Sequence, residues 1–528
     1  MMLSRRPPTE SGWLYALAAA LMIAGPLWHY LYVNRYPFAR PEAIILPLAI
    51  GVAAAALAAA AHRAGGLLEG LVFGCLLFVF IDLQFDLDKW IYTAVIVAGC
   101  FGLTALIRSR RAMITCLTLG AFYLSSLVRP SAPSPVLRLQ SDSRQASTLP
   151  VLVHLVLDEQ WGIGGLRAAG DTATAAFLRD FYLSRGFEVY DAAYSRWVFT
   201  HESIPDLMSL GGPVAVEALP RFEFRLRANP YFRHLHAMGY AIHVYQSTAL
   251  DYCHSADAVV DSCEVVPAVS IANIGHLDGA WTIRAVLAAR FFLNMTSHVY
   301  ARLHPDPIVW RRGFAGRGLA ELEDARHAIA AGLPGGSAIF IHLLLPHRPL
   351  EVDEACRAYA DPGRRVNFGE DQPLSDSAWH ERLSLYAAQV RCVHRAVDRL
   401  LAALDSTVGR DGSIVIVHGD HGSRMSQQSP AGIALFNQKL SSLNGQQINS
   451  AFSTLLAIRR PRMSAALHSQ AVPLQDFFWQ LVKNDFRGEA GAGWNHYVRR
   501  MKSDSVPVDT LRALTADEMV WPSPSPVR

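Results

Sequence analysis

Charge is what this chain has least of. Asp, Glu, Lys and Arg make up 18% of its 528 residues and apolar types 51%, whereas soluble domains average about 25% charged. Part of the chain therefore has a surface that does not face water. Neither sign of charge dominates. The 48 Lys and Arg against 45 Asp and Glu leave a net of +3, which excludes the basic excess expected of a nucleic-acid-binding protein. Cysteine is scarce, seven in all, and never spaced as CxxC, which excludes a thiolate zinc site. No short period runs through the chain, and apolar residues are too plentiful for disorder.

The apolar excess sits in the first quarter, in five runs: Gly12–Tyr32, Ala43–Ala61, Leu67–Ile81, Trp90–Ile107 and Ala112–Val128. Each is near the ~20 residues a helix needs to cross a bilayer, so about five transmembrane helices are expected over 1–128. Arg5, Arg6, Arg63, Arg108, Arg110 and Arg111 fall on one side and only Arg35, Arg40 and Lys89 on the other. The positive-inside rule then puts the N-terminus in the cytoplasm and everything after Val128 outside it. Residues 129–150, rich in Pro, Ser and Arg, read as a linker, and 151–528 as one exported domain. Cys253, Cys263, Cys356 and Cys392 lie in that domain. Four cysteines in an oxidising compartment suggest two disulfides, most simply Cys253–Cys263 and Cys356–Cys392.

Beyond residue 150 short apolar runs alternate with helical patterns, the signature of a doubly wound α/β domain with a mostly parallel sheet. Ligands bind past the carboxyl ends of such strands, so the residues that follow each run are informative. Val151–Leu157 is followed by Asp158 and Glu159, two carboxylates aimed into a crevice. Ser413–Val417 is followed by His418-Gly419-Asp420-His421-Gly422, carboxylate and imidazole between glycines, which suits a divalent metal. Ala338–Leu345 is followed by Pro346-His347-Arg348-Pro349. His154 and His342, inside their runs, read as core. In TxxSIP, Thr200 and Ser203 precede a segment, Asp206–Leu210, that reads as helical. A hydroxyl there either caps the helix or sits where the helix terminus favours an alkoxide and a bound phosphate.

Together these pieces resemble the alkaline phosphatase superfamily, and within it the membrane-anchored, sulfatase-like transferases such as phosphoethanolamine transferases and lipoteichoic acid synthases. The resemblance implies an α-helical membrane bundle followed by an alkaline-phosphatase-like catalytic domain. It implies one divalent metal held by Asp158, Glu159 or both, with Thr200, Asp420 and His421; zinc is the choice, with manganese and magnesium also compatible. Thr200 would be the nucleophile and His347 a substrate-binding residue; Arg348 and Arg424 follow strand ends and could grip the rest of the substrate. The sulfatase nucleophile motif requires Cys or Ser followed by x-Pro-x-Arg, and Ser203-Ile204-Pro205-Asp206-Leu207 lacks the Arg.

The expectation is transfer of a phospho-group, such as phosphoethanolamine or phosphoglycerol, from a membrane phospholipid to a lipid or glycan acceptor through phospho-Thr200. The expected setting is a bacterial inner membrane, with the catalytic domain on its periplasmic side. A membrane-anchored phosphodiesterase, phosphatase or sulfatase-like hydrolase is the alternative among enzymes, and a non-catalytic member that binds lipid or a partner is the alternative of another class.

Overall fold

A computed structural model describes residues 11–84, 90–106, 110–128, 148–213, 216–218, 224–247, 249–255, 257, 259–266, 269–304, 313–359, 374–425, 440–487, 494–499 and 511–514. Most of the expected linker, 129–147, lies outside these residues, as do Arg5, Arg6, Lys89 and Arg108. The chain divides into two compact units, residues 1–134 with 269–316, and residues 135–268 with 317–528.

The first unit holds five apolar helices: α1 (Gly12–Val33), α2 (Glu42–Ala64), α3 (Gly66–Gln84), α4 (Trp90–Leu106) and α5 (Arg111–Val128). Three contain stretches long and apolar enough to cross a membrane: Gly12–Val33, Glu42–Ala64 and Leu67–Gln84. The described apolar parts of α4 and α5 are shorter, Thr93–Gly102 and Ala112–Ser125, so of about five expected spans three are long and apolar enough among the described residues. Ala18, Ala19 and Met22 of α1 pack on Ala54 and Ala58 of α2, Phe73 of α3 and Leu119 of α5. Small side chains allow that approach; a Cβ on Gly25 would run into the Tyr123 ring. Glu69, near the start of α3, pairs with His62 at 3.2 Å. Residues 269–304 and 313–316, which the sequence assigns to the exported domain, fall in this unit.

The second unit is built on an eight-stranded sheet. Its strands are β1 (Val151–Leu157), β2 (Glu188–Tyr194), β3 (Ala241–Ser247), β4 (Ser262–Val266), β5 (Ser337–Leu343), β6 (Ser413–Gly419), β7 (Leu456–Arg459) and β8 (Ala466–Pro473). The spatial order is β8-β2-β7-β6-β1-β5-β3-β4. The sheet is mixed rather than purely doubly wound, because β7 runs antiparallel to both β2 and β6 while the other neighbours are parallel. At its centre β1, β5 and β6 are buried along their whole length, as expected of strands covered on both faces. His154 is a satisfied core histidine, bonded to Tyr231 and to His418 Nε2. The disulfides are Cys253–Cys263 and Cys356–Cys392.

Register is what places the site. Leu157 stands opposite Leu343 on one side and Gly419 on the other, so Asp158 and Asp420 leave the sheet side by side. A 33-residue helix, Asp376–Val408, carries Tyr386 and Gln389 beneath the strand-end loops.

Candidate metal centre

Asp158, Asp420 and His421 are buried, and each offers a ligand atom within 4.8 Å of the others. The chain reaches this arrangement through the two glycines of the HGDHG segment. Neither glycine has positive φ, so an unusual turn is not their purpose. A Cβ on Gly419 would strike the Gln160 carbonyl, and one on Gly422 the Ala451 carbonyl. They are required for close backbone approach.

Each candidate ligand is oriented by a bond on its far side. Asp420 Oδ1 accepts from the backbone N–H of Glu159 at 2.9 Å and of His421 at 2.8 Å. Its Oδ2 is buried and accepts no hydrogen bond among the described residues. His421 Nδ1 donates to the Gly422 carbonyl at 2.7 Å, which fixes the tautomer and leaves the Nε2 lone pair facing inward. That lone pair lies 3.2 Å from Asp420 Oδ2 and 4.0 Å from Asp158 Oδ1. Two carboxylates and a lone pair converging in a buried space repel one another unless a cation stands between them. The donor set therefore fits a divalent metal, and with oxygen and imidazole but no thiolate it suits zinc, manganese or magnesium.

Thr200 completes the group. Its Oγ1 donates to Asp158 Oδ2 at 3.4 Å and lies 3.4 Å from His421 Nε2. The helix predicted from Asp206 begins earlier and spans Thr200–Met208, with Phe199 at its N-cap and no capping side chain. Pro205 lies inside it, past the first turn. Neither hydroxyl caps this helix. Ser203 Oγ instead donates to the Asp420 carbonyl at 2.5 Å and accepts from Gln475 at 3.0 Å. Ser203 thus braces the Asp420 loop, which separates it from the role the sulfatase motif gives its serine.

Glu159 is not in the cluster. It has φ +58°, and this left-handed turn sends its carboxylate away from that of Asp158. Oε1 accepts from Arg424 Nε at 2.5 Å, and Oε2 lies 3.7 Å from Arg348 Nε. Burial works to raise this carboxyl, but the positive charge of Arg424 and Arg348 outweighs it and holds the group well below the usual carboxylate range. His347 Nδ1 donates to the Arg348 carbonyl, and its Nε2 accepts from Arg424 at 2.6 Å. Glu159, Arg348 and Arg424 form one charged group, with His347 bonded into it, beside the candidate metal ligands.

Three residues escape a reading based on strand ends. His342 is inside β5, yet its Nε2 lies 3.8 Å from Asp158 Oδ2 while Nδ1 faces the Tyr252 hydroxyl at 2.7 Å. Burial, with the charge of its histidine neighbours, pushes it down to about 4 against the opposing pull of Asp420. Tyr386 donates to the Glu159 carbonyl and accepts from Trp161 N–H, both at 2.9 Å. Gln389 donates to the carbonyls of Pro346 and His347 and accepts from Glu351 N–H. Both lie on a helix whose period marks them only as inward-facing.

No family model and no curated protein matches the chain. Among solved structures it is similar to the C-terminal periplasmic domain of EcEptC from Escherichia coli, at 10% identity and TM-score 0.39, covering 70% of this chain and 94% of that one; that domain has also been solved in complex with Zn. It is similar to the phosphonate monoester hydrolase of Agrobacterium radiobacter, at 12% identity and TM-score 0.38, covering 63% and 73%. A protein in the alkaline phosphatase superfamily from Vibrio parahaemolyticus matches at 12% identity and TM-score 0.35, covering 64% and 66%.

Proposed function

We propose that this chain is a membrane-anchored, metal-dependent phosphotransferase of the alkaline phosphatase superfamily. It would move a phospho-group, such as phosphoethanolamine or phosphoglycerol, from a phospholipid to a lipid or glycan acceptor. The observation that carries the reading is Thr200 Oγ1 at 3.4 Å from both Asp158 and His421. A hydroxyl so placed among buried acidic and imidazole groups has little structural use, since it caps no helix.

Asp158, Asp420, His421 and Thr200 would hold the metal, zinc by preference. When bound, a divalent cation lowers the pKa of a hydroxyl beside it and offsets charge on phosphoryl oxygens. The chain's own residues account for the remaining steps. Thr200 lies at the first position of its helix, so backbone N–H groups there favour negative charge on the oxygen. The oxygen attacks phosphorus; the bond to the donor's glyceride oxygen breaks, and the proton lost from Thr200 ends on that departing alcohol. Arg424 flanks the site, held by His347 and Glu159, and offsets charge on the non-bridging oxygens. An acceptor hydroxyl then attacks phospho-Thr200, gives up its proton and restores the free threonine.

The helices support the choice of substrate. A catalytic unit on a chain with three candidate membrane spans works at high effective concentration toward lipid-borne partners. The basic-residue asymmetry argues for the bacterial inner membrane with the catalytic unit outside, and the disulfides agree with an oxidising compartment.

The test is product analysis with a phospholipid labelled in its headgroup. A transferase delivers the label to an acceptor lipid or glycan. Release of the label as free headgroup phosphate alone would make the protein a hydrolase, and no turnover at any metal would remove the enzymatic reading.

A further inference from the structure

Residues 269–304 interrupt the second unit's sequence and fold onto the first. Their main element is a 16-residue helix, Trp281–Thr296, followed by a short helix, His298–Leu303. Arg284 on the longer helix makes a two-pronged bond to Glu42 at the start of α2, with Nε to Oε1 at 2.6 Å and Nη2 to Oε2 at 3.2 Å. Tyr36 donates to the same carboxylate at 2.9 Å. Both charged partners are buried, so the pair is well shielded from water and from salt. At the far end Ser297 Oγ and Val299 N–H donate to Asp82, near the end of α3. Arg40 also donates to the Gly275 carbonyl at 2.9 Å.

These contacts fix the helix's direction. α2 and α3 are joined through the single residue Gly65, so they run antiparallel, and Glu42 and Asp82 lie at the same end of the pair. A helix pinned near Arg284 to one and at Ser297 to the other covers about 20 Å at ~1.5 Å per residue. It therefore lies across the span ends, in the plane where a membrane surface would be.

Its outward side has little suited to water. Val286 is 52% exposed, and Ile283, Arg290 and Leu293, which share its stripe at helical spacing opposite the buried Arg284, Ala288 and Phe292, are half-buried. From Gly279 to His304 there is no Asp or Glu, whereas Arg284, Arg290 and Arg302 are all basic. We propose that 269–304 is an interfacial element in which the outward side of the Trp281–Thr296 helix, bearing Ile283, Val286 and Leu293, lies in the headgroup–acyl boundary of the leaflet at that end of the spans, with Arg290 facing anionic lipid phosphates. The occupant follows from two observations. The surface is continuous with helices apolar enough to span a bilayer, and its charge complements anionic headgroups. The buried Arg284–Glu42 pair sets the depth of the element against the spans.

The test uses the full chain with Cys75, Cys100 and Cys116 replaced by Ser and a fluorescent label at Val286→Cys. The protein is reconstituted in phosphatidylcholine–phosphatidylglycerol vesicles. Leu293→Cys, seven residues on, gives a second reporter on the same side, and Ser406→Cys on the Asp376–Val408 helix gives a water-facing reference. Labels at 286 and 293 are expected to be quenched by a nitroxide high on the lipid chain and shielded from a water-soluble nitroxide, with the 406 label showing the opposite. Equal access of the water-soluble quencher at 286, 293 and 406 would overturn the proposal. Moving the nitroxide from phosphatidylcholine to phosphatidylglycerol should increase quenching at 286 severalfold, and Arg290→Gln should abolish that increase. Quenching indifferent to the headgroup would overturn the anionic assignment.

Discussion

Asp420 divides its two oxygens between separate tasks: Oδ1 is held by two backbone N–H groups, while Oδ2 is left inside a buried space with no donor among the described residues. Asp420→Asn keeps a carbonyl oxygen for the two N–H groups and removes only the charge and the second oxygen. The variant should fold normally yet bind zinc at least ~100-fold more weakly than the parent, read by titration calorimetry or by metal content after gel filtration. Unchanged metal content would show that the cluster is not the site. Asp158, Asp420 and His421 were legible in the sequence because they follow runs of apolar residues, where side chains leave the sheet; Thr200 was suggested by the family resemblance, since the helix it opens was expected to begin only at Asp206. Glu159 was not separable from Asp158 by that logic. Its direction depends on a single left-handed residue, which a pattern of residue types does not encode. His342 is buried in the strand interior, as its position in the run suggests, but that it also lies 3.8 Å from Asp158 could not be read, because a strand interior reads as core even where one face of the strand abuts the site.

At the scale of elements, the sheet and its strand ends could be read from apolar runs, whereas the helix that steadies them could not be assigned a purpose. Gln389 on the Asp376–Val408 helix holds the loop bearing His347 through two carbonyls and one N–H. Gln389→Ala leaves those buried groups without partners, at a cost of roughly 1–3 kcal/mol for each unsatisfied group. We expect a lower melting temperature together with a rise in KM larger than the fall in kcat, since in the proposed function the loop would position substrate rather than the nucleophile. A second element carries a pH signature. Glu321, buried on the Phe314–Ala330 helix, is pushed up to about 8 by burial, with Glu264 and Asp324 adding and Arg317 opposing. Unfolded, the group ionises near its ordinary value of about 4.3. Between these values the folded state keeps a proton that the unfolded state has released, so stability falls as pH rises through that window. Glu321→Gln removes this slope. Its melting temperature should exceed the parent's near pH 8 and show no gain near pH 4, and a gain of equal size at both would contradict the assignment.

For the whole molecule, the division into an apolar first part and an α/β second part followed from where the apolar residues lie. The return of 269–316 to the first unit did not, because its helix is amphipathic and shorter than a membrane span, and so passes as ordinary soluble sequence. The mixed sheet was similarly hidden. A four-residue antiparallel strand, Leu456–Arg459, has the same apolar character as its parallel neighbours, and residue type does not reveal direction. The function proposed above turns on one covalent event, in which a phospho-group would rest on Thr200 between donor and acceptor. Mass spectrometry of the full-length protein, quenched in acid after incubation with phospholipid vesicles and zinc, tests this most directly. The peptide containing Thr200 should gain the mass of the phosphorylated headgroup, and Thr200→Ala should show neither adduct nor turnover. An adduct at another residue, or full turnover by Thr200→Ala, would contradict it.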